Sequence, residues 1–149
     1  MIRATPCDIA NIYAGQRKFA LADKMIAENK CAYVVFAAVQ QYAADPVGAE
    51  RLLRSTTNRD YLTSGLYQFA IAAADRGNVA EGLRFLNDLT GLNRGNIGGN
   101  AIRAVSRAWT VRDGAQTVLP WARSRPTLEQ KTWALIGTAE ALGHARPTH

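Results

Sequence analysis

The chain has 149 residues, 48% of them hydrophobic and 20% charged, which is the composition of one folded domain rather than of a disordered chain or two full domains. No apolar run approaches the roughly 20 residues that cross a bilayer, and the stretch from Met1 to Tyr13 meets Asp8 before an apolar segment forms, so it does not read as a signal peptide and a cytoplasmic chain is expected. The net charge of +6 is uneven: residues 1–75 hold eight Lys/Arg against seven Asp/Glu, and residues 76–149 hold ten against five, so the second half carries five of the six net positive charges.

A short first helix is expected over Asp8 to Tyr13. Phe19, Ala22, Met25 and Ile26 then form an apolar stripe that stops at Asn29. The two cysteines, Cys7 and Cys31, flank this region. Each is expected to pack as a small apolar residue, the usual fate of a free cysteine. A redox pair is the alternative, and it requires Cα atoms within about 7 Å. Val34 to Ala44 is apolar with a helical period and ends at Asp45-Pro46, an N-cap followed by proline in the first turn. Val47, Ala49, Leu52 and Leu53 continue on the far side.

The clearest unit lies in the middle. Leu62, Leu66, Phe69, Ala70 and Ala73 recur at spacings of three and four, one face of a helix. Gly77 stands where a left-handed C-cap is wanted, and Asn78 with Glu81 resembles a capping box. Val79, Leu83 and Leu86 give the second stripe, closed by Gly91. Leu66, Phe69, Leu83 and Leu86 are expected to be buried together. A further helix from Ile97 to Val111 ends at Asp113-Gly114, with Ala115, Val118 and Leu119 after it; Pro120 should kink that helix and push Trp121 off the regular stripe. The last helix, Thr127 to Leu142, follows Pro126, with Thr127 and Gln130 as its capping box, Leu128, Leu135, Ala139 and Leu142 as its buried stripe, and Gly143 as its end. Of Trp109, Trp121 and Trp133, two are expected in the core and one partly exposed. That makes about nine helices and no strands.

The expected turn caps Asp45, Asn78 and Asp113 are 33 and 35 residues apart, and Phe36 and Phe69 share the first offset. Such a period marks stacked helix pairs. Leu66 through Leu89, LYQFAIAAADRGNVAEGLRFLNDL, resembles a tetratricopeptide-type unit, and pentatricopeptide units share its shape. Gly77 falls at the inter-helix turn, and Gly82 and Leu86 fall where small and bulky residues pack between helices. The likeness covers about 24 residues; Leu66 stands where the family carries its signature tryptophan, and the proline after the second helix is replaced near Arg94. The resemblance implies an all-α fold: a single domain over 1–149, built as a right-handed α-solenoid of about four stacked antiparallel helix pairs plus a capping helix. It also implies a curved scaffold that binds peptides, proteins or, for pentatricopeptide units, RNA.

Few residues point to chemistry. His144 and His149 lie near the C-terminus with no Cys or His at ligand spacing, so no metal site and no histidine catalysis are expected. The glycine-rich stretch Gly91 to Asn100 lacks the Lys-Ser/Thr ending and the preceding strand of a nucleotide loop and reads as a connection between units. The arginines are the stronger lead. Arg103 and Arg107 are one turn apart on one helix face, Arg94 and Arg112 flank that helix, and Arg123 lies at the end of the next, with Arg125 beside it. Converging, they form an anion- or partner-binding stripe; apart, they form a solvated basic face. Tyr67 and Gln68 are the expected contacts on the concave face. The function expected is a non-enzymatic scaffold for a protein or peptide partner, without a cofactor and without membrane association. The alternative is an RNA- or DNA-binding module using the arginine-rich second half.

Overall fold

The structure is a computed structural model, and it describes residues 3–92 and 97–144. Nine helices and no strands are present among the described residues: α1 (Pro6–Gly15), α2 (Phe19–Glu28), α3 (Val35–Tyr42), α4 (Pro46–Arg54), α5 (Arg59–Asp75), α6 (Val79–Leu92), α7 (Gly99–Asp113), α8 (Ala115–Arg123) and α9 (Leu128–His144). None of them is long and apolar enough to cross a membrane. The chain forms two compact units, one up to Gly65 and one from Leu66 onward, so the boundary falls inside α5.

Local chemistry explains where the helices begin and end. A capping box opens α1: Asp8 N–H donates to Thr5 Oγ1 at 3.2 Å and Thr5 N–H donates to Asp8 Oδ2 at 2.8 Å, with Pro6 at the first helical position. These bonds to Thr5 hold the Asp8 carboxyl below its ordinary pKa. Asp45 caps α4 as expected, its Oδ1 taking the Gly48 N–H at 2.9 Å. Asn78 caps α6, its Oδ1 taking the Glu81 N–H at 3.2 Å. Before it, Gly77 adopts φ +74° and closes α5 with two bonds, Asn78 N–H to Ala73 O and Gly77 N–H to Ala74 O, both at 2.9 Å. Thr127 caps α9 by accepting the Gln130 N–H at 3.1 Å. Asp113 does not cap α8. It is the last residue of α7, and its carboxylate is taken by Trp109 Nε1 at 3.0 Å and Arg112 Nη2 at 2.8 Å. Gly114, at φ +88°, makes the turn instead. Trp109, one turn back on α7, and the neighbouring Arg112 hold the Asp113 carboxylate on its own helix.

In the first unit α1 packs on α2 and α3, and α3 packs on α4. Its core is rich in alanine, with Ala10, Ala14, Ala22, Ala37, Ala38 and Ala49 buried beside Ile26, Val34, Tyr42 and Leu53. The cysteines do not pack as separate apolar residues. Cys7 at the start of α1 and Cys31 just after α2 form a disulfide, with Cα atoms 5.7 Å apart. Phe36 stays exposed although Phe69, at the matching offset, is fully buried; the same sequence offset therefore meets a different environment in the two units.

In the second unit Leu66, Phe69 and Leu86 are buried as expected, but Leu83 is only half-buried. Phe85 takes its place, its ring 5.5 Å from that of Phe69. Gly82 is buried, and a Cβ on it would press against Val105 Cγ2 at 2.9 Å, so the glycine lets α6 and α7 approach closely. α8 runs on through Pro120 to Arg123. All three tryptophans are half-buried, rather than two in the core: the Trp109 and Trp121 rings lie 5.6 Å apart, and the Trp133 indole occupies the space a side chain at Gly99 would need.

The largest departure is α9. Its expected stripe, Leu128, Leu135, Ala139 and Leu142, faces solvent. The buried stripe is Gln130, Ala134, Gly137, Thr138 and Ala141. Small residues let the α9 backbone come against α7, and the hydroxyls trapped there bond to helix carbonyls and to one another. Ser106 Oγ donates to Ala134 O at 2.6 Å and lies 2.9 Å from Thr138 Oγ1; Thr110 Oγ1 donates to Ser106 O at 2.8 Å. A Cβ on Gly137 would overlap the Arg103 carbonyl oxygen, which a helical backbone cannot move aside. Gly137→Ala should therefore cost about 1–3 kcal/mol as overpacking, despite the ~1 kcal/mol that alanine gains in helix propensity. A thermal melt with an unchanged or raised midpoint would show that α7 and α9 part readily.

Candidate functional site

The second unit has a cleft of about 490 Å³ lined by α5, α7 and α9. Ile71, Ala74, Ala104, Ala108 and Val111 supply its apolar wall. The spacing of Ala104, Ala108 and Val111 puts them on one face of α7, and Ile71 and Ala74 are one turn apart on α5. Val111 is 70% exposed, so the rim of the cleft is open to solvent.

Four charged side chains line the same space: Asp75, Arg103, Arg107 and Glu140. Arg103 Nη2 binds Glu140 Oε1 at 2.6 Å, tying α7 to α9. Both groups are partly exposed, so the pair chiefly orients the Arg103 guanidinium and contributes little stability. Arg107, one turn on, is exposed and makes no ion pair among the described residues.

The predicted site residues separate into three groups. Arg103 and Arg107 come together in the cleft. Arg112 and Arg123 are exposed outside its lining; Arg112 is engaged by Asp113, whose carboxyl is held below its usual pKa mainly by that guanidinium, with the Trp109 indole adding to it. Arg94 lies outside the described residues, as do His149 and residues 93–96 of the stretch Gly91 to Asn100. Tyr67 is half-buried with its ring against Gly98, where a Cβ would overlap it, and Gln68 is exposed; neither lines the cleft, though both precede Ile71 by one turn. Arg125, which the stripe also included, lies over the Trp121 ring at 4.5 Å, and burial lowers its pKa.

Sequence reasoning missed Asp75 and Glu140 as members of the site. The Arg103–Glu140 pair joins residues on different helices, and no local spacing announces it. Among the described residues no three or more His, Cys, Asp or Glu side chains gather as a metal site would require. Comparison with protein-family models, curated proteins and solved structures finds no match.

Proposed function

We propose that the chain is a non-enzymatic binding scaffold that holds a short segment of a protein partner in the cleft lined by α5, α7 and α9. One observation carries the reading: an open apolar wall ending on an exposed, unpaired Arg107 beside the oriented Arg103–Glu140 pair. Apolar side chains of the segment would lie on Ile71, Ala104 and Ala108, and a carboxylate would meet Arg107. In this reading α5/α6 and α7/α8 are consecutive pairs of a right-handed, tetratricopeptide-like α-solenoid of about four pairs. Their first helices line the concave face, and Tyr67 and Gln68 extend that face along α5. Asp75 and Glu140 weigh against the RNA- or DNA-binding alternative, because they set negative charge where a phosphate backbone would run.

The test selects a random-peptide phage library on the immobilised protein. Enriched peptides should combine apolar residues with an Asp or Glu. Arg107→Glu should weaken a selected peptide about tenfold or more, the loss expected for a charge-assisted contact turned repulsive, with unchanged circular dichroism. An oligonucleotide affinity that falls steeply with salt, and whose slope flattens in the Arg103→Ala/Arg107→Ala variant, would overturn the peptide reading in favour of nucleic acid.

A further inference from the structure

A second cavity, of about 610 Å³, lies wholly within the first unit, and its inner wall is short of hydrogen-bond donors. Gln41 is only 4% exposed and lines it. Its Nε2 donates to Asp45 Oδ2 at 3.3 Å, and its amide lies near enough to Asp23 to favour that group's charged form. With carboxylates on that side, the amide nitrogen must face them, since the oxygen would be repelled. Gln41 Oε1 is therefore left buried with no partner, and Asp23 Oδ1 is buried without one as well. Buried acceptors without donors are costly, and polar interiors normally fill them.

The corner has no room for a side chain at position 48. A Cβ on Gly48 would overlap the Asp45 carboxylate and come within 2.8 Å of Gln41 Nε2. Charge narrows what fits. Two carboxylates and two unfilled oxygens ask for a cation with several N–H donors, and a water supplies no charge. Burial raises the Asp23 pKa, and the Asp45 charge adds to this, so the site gains most from a partner that neutralises it. Lys30 and Arg51 line the same cavity without an ion pair among the described residues, and they suit a carboxylate. Ile26 and Leu52 supply apolar lining between these polar groups.

We propose that this cavity is a binding site for a small zwitterion of the α-amino-acid class, its ammonium group donating to Asp23 and Gln41 beside Asp45, and its carboxylate meeting Lys30 and Arg51. The site is separate from the peptide cleft and does not depend on it.

Calorimetric titration of the whole chain tests this with three probes of one shape: L-leucine, isoamylamine, which lacks the carboxylate, and isocaproate, which lacks the ammonium. L-leucine should bind saturably, isoamylamine more weakly, and isocaproate not at all. Asp23→Asn keeps the side-chain shape and should weaken both amines about tenfold or more, the size of a lost charged hydrogen bond. Arg51→Gln should bring L-leucine down toward isoamylamine and leave isoamylamine unchanged. Absence of saturable binding by either amine at millimolar concentration would overturn the proposal and leave the two acceptors to water. Binding that Asp23→Asn does not weaken would overturn it equally.

Discussion

Phe69→Ala should lower the unfolding free energy of the second unit by about 3–5 kcal/mol, the range for truncating a fully buried phenylalanine. The ring is completely buried and tilted against Phe85 at 5.5 Å. Truncation removes its transfer free energy and leaves a void that α5 and α6 cannot close without moving their own backbones. All three tryptophans, Trp109, Trp121 and Trp133, lie beyond Leu66, so tryptophan fluorescence follows this unit selectively. In a denaturant titration the midpoint should fall at an unchanged slope. A loss below about 1 kcal/mol would mean that the unit repacks around the gap and that the Phe69–Phe85 contact is not its centre.

Removing the disulfide should cost about 3 kcal/mol. Cys7 and Cys31 are separated by 24 positions, and the chain-entropy account assigns about 3.5 kcal/mol to a loop of that size, with strain and residual unfolded structure usually lowering the yield. The first unit has reason to depend on the link, because its alanine-rich core buries little area per residue. The Cys7→Ser/Cys31→Ser variant and the reduced wild type should lose the same amount in denaturant titrations followed by far-UV circular dichroism. Purified without reductant and then unfolded, the protein should show no free thiol. Two titratable thiols under those conditions, or a double variant as stable as the oxidised wild type, would remove the bridge from the account. Such bonds persist only in oxidising surroundings, so the thiol count depends on where the chain is collected.

The candidate sites were legible in part. Arg103 and Arg107 were readable as a pair because one turn of helix separates them, a relation that spacing alone expresses. Their partner Glu140 was not readable, and neither was the wall that α5 contributes. The first unit's cavity left no trace in the chain's pattern: Asp23, Gln41 and Asp45 sit on three different elements or turns, and Gln41 in particular reads as one more polar residue of α3.

What the amino-acid order determined by itself is the succession of helices and most of their ends. Every helix was foreseeable to within a few residues, because periodicity, the caps Asp45, Asn78 and Thr127, and the left-handed Gly77 act over three to five positions. Only the tertiary structure decided which face of α9 is buried. Hydrophobicity favoured Leu128, Leu135 and Leu142, yet the helix turns Ala134, Gly137 and Thr138 toward α7, where small side chains permit closer backbone approach and Ser106 and Thr110 supply the hydrogen bonds. Only the tertiary structure joined Cys7 to Cys31, and only it drew Asp113 back to Trp109 and Arg112. Apart from the Asp113 contacts, these choices link residues 24 or more positions apart, and they depend on how closely two surfaces can meet, a quantity that exists only once the helices have packed.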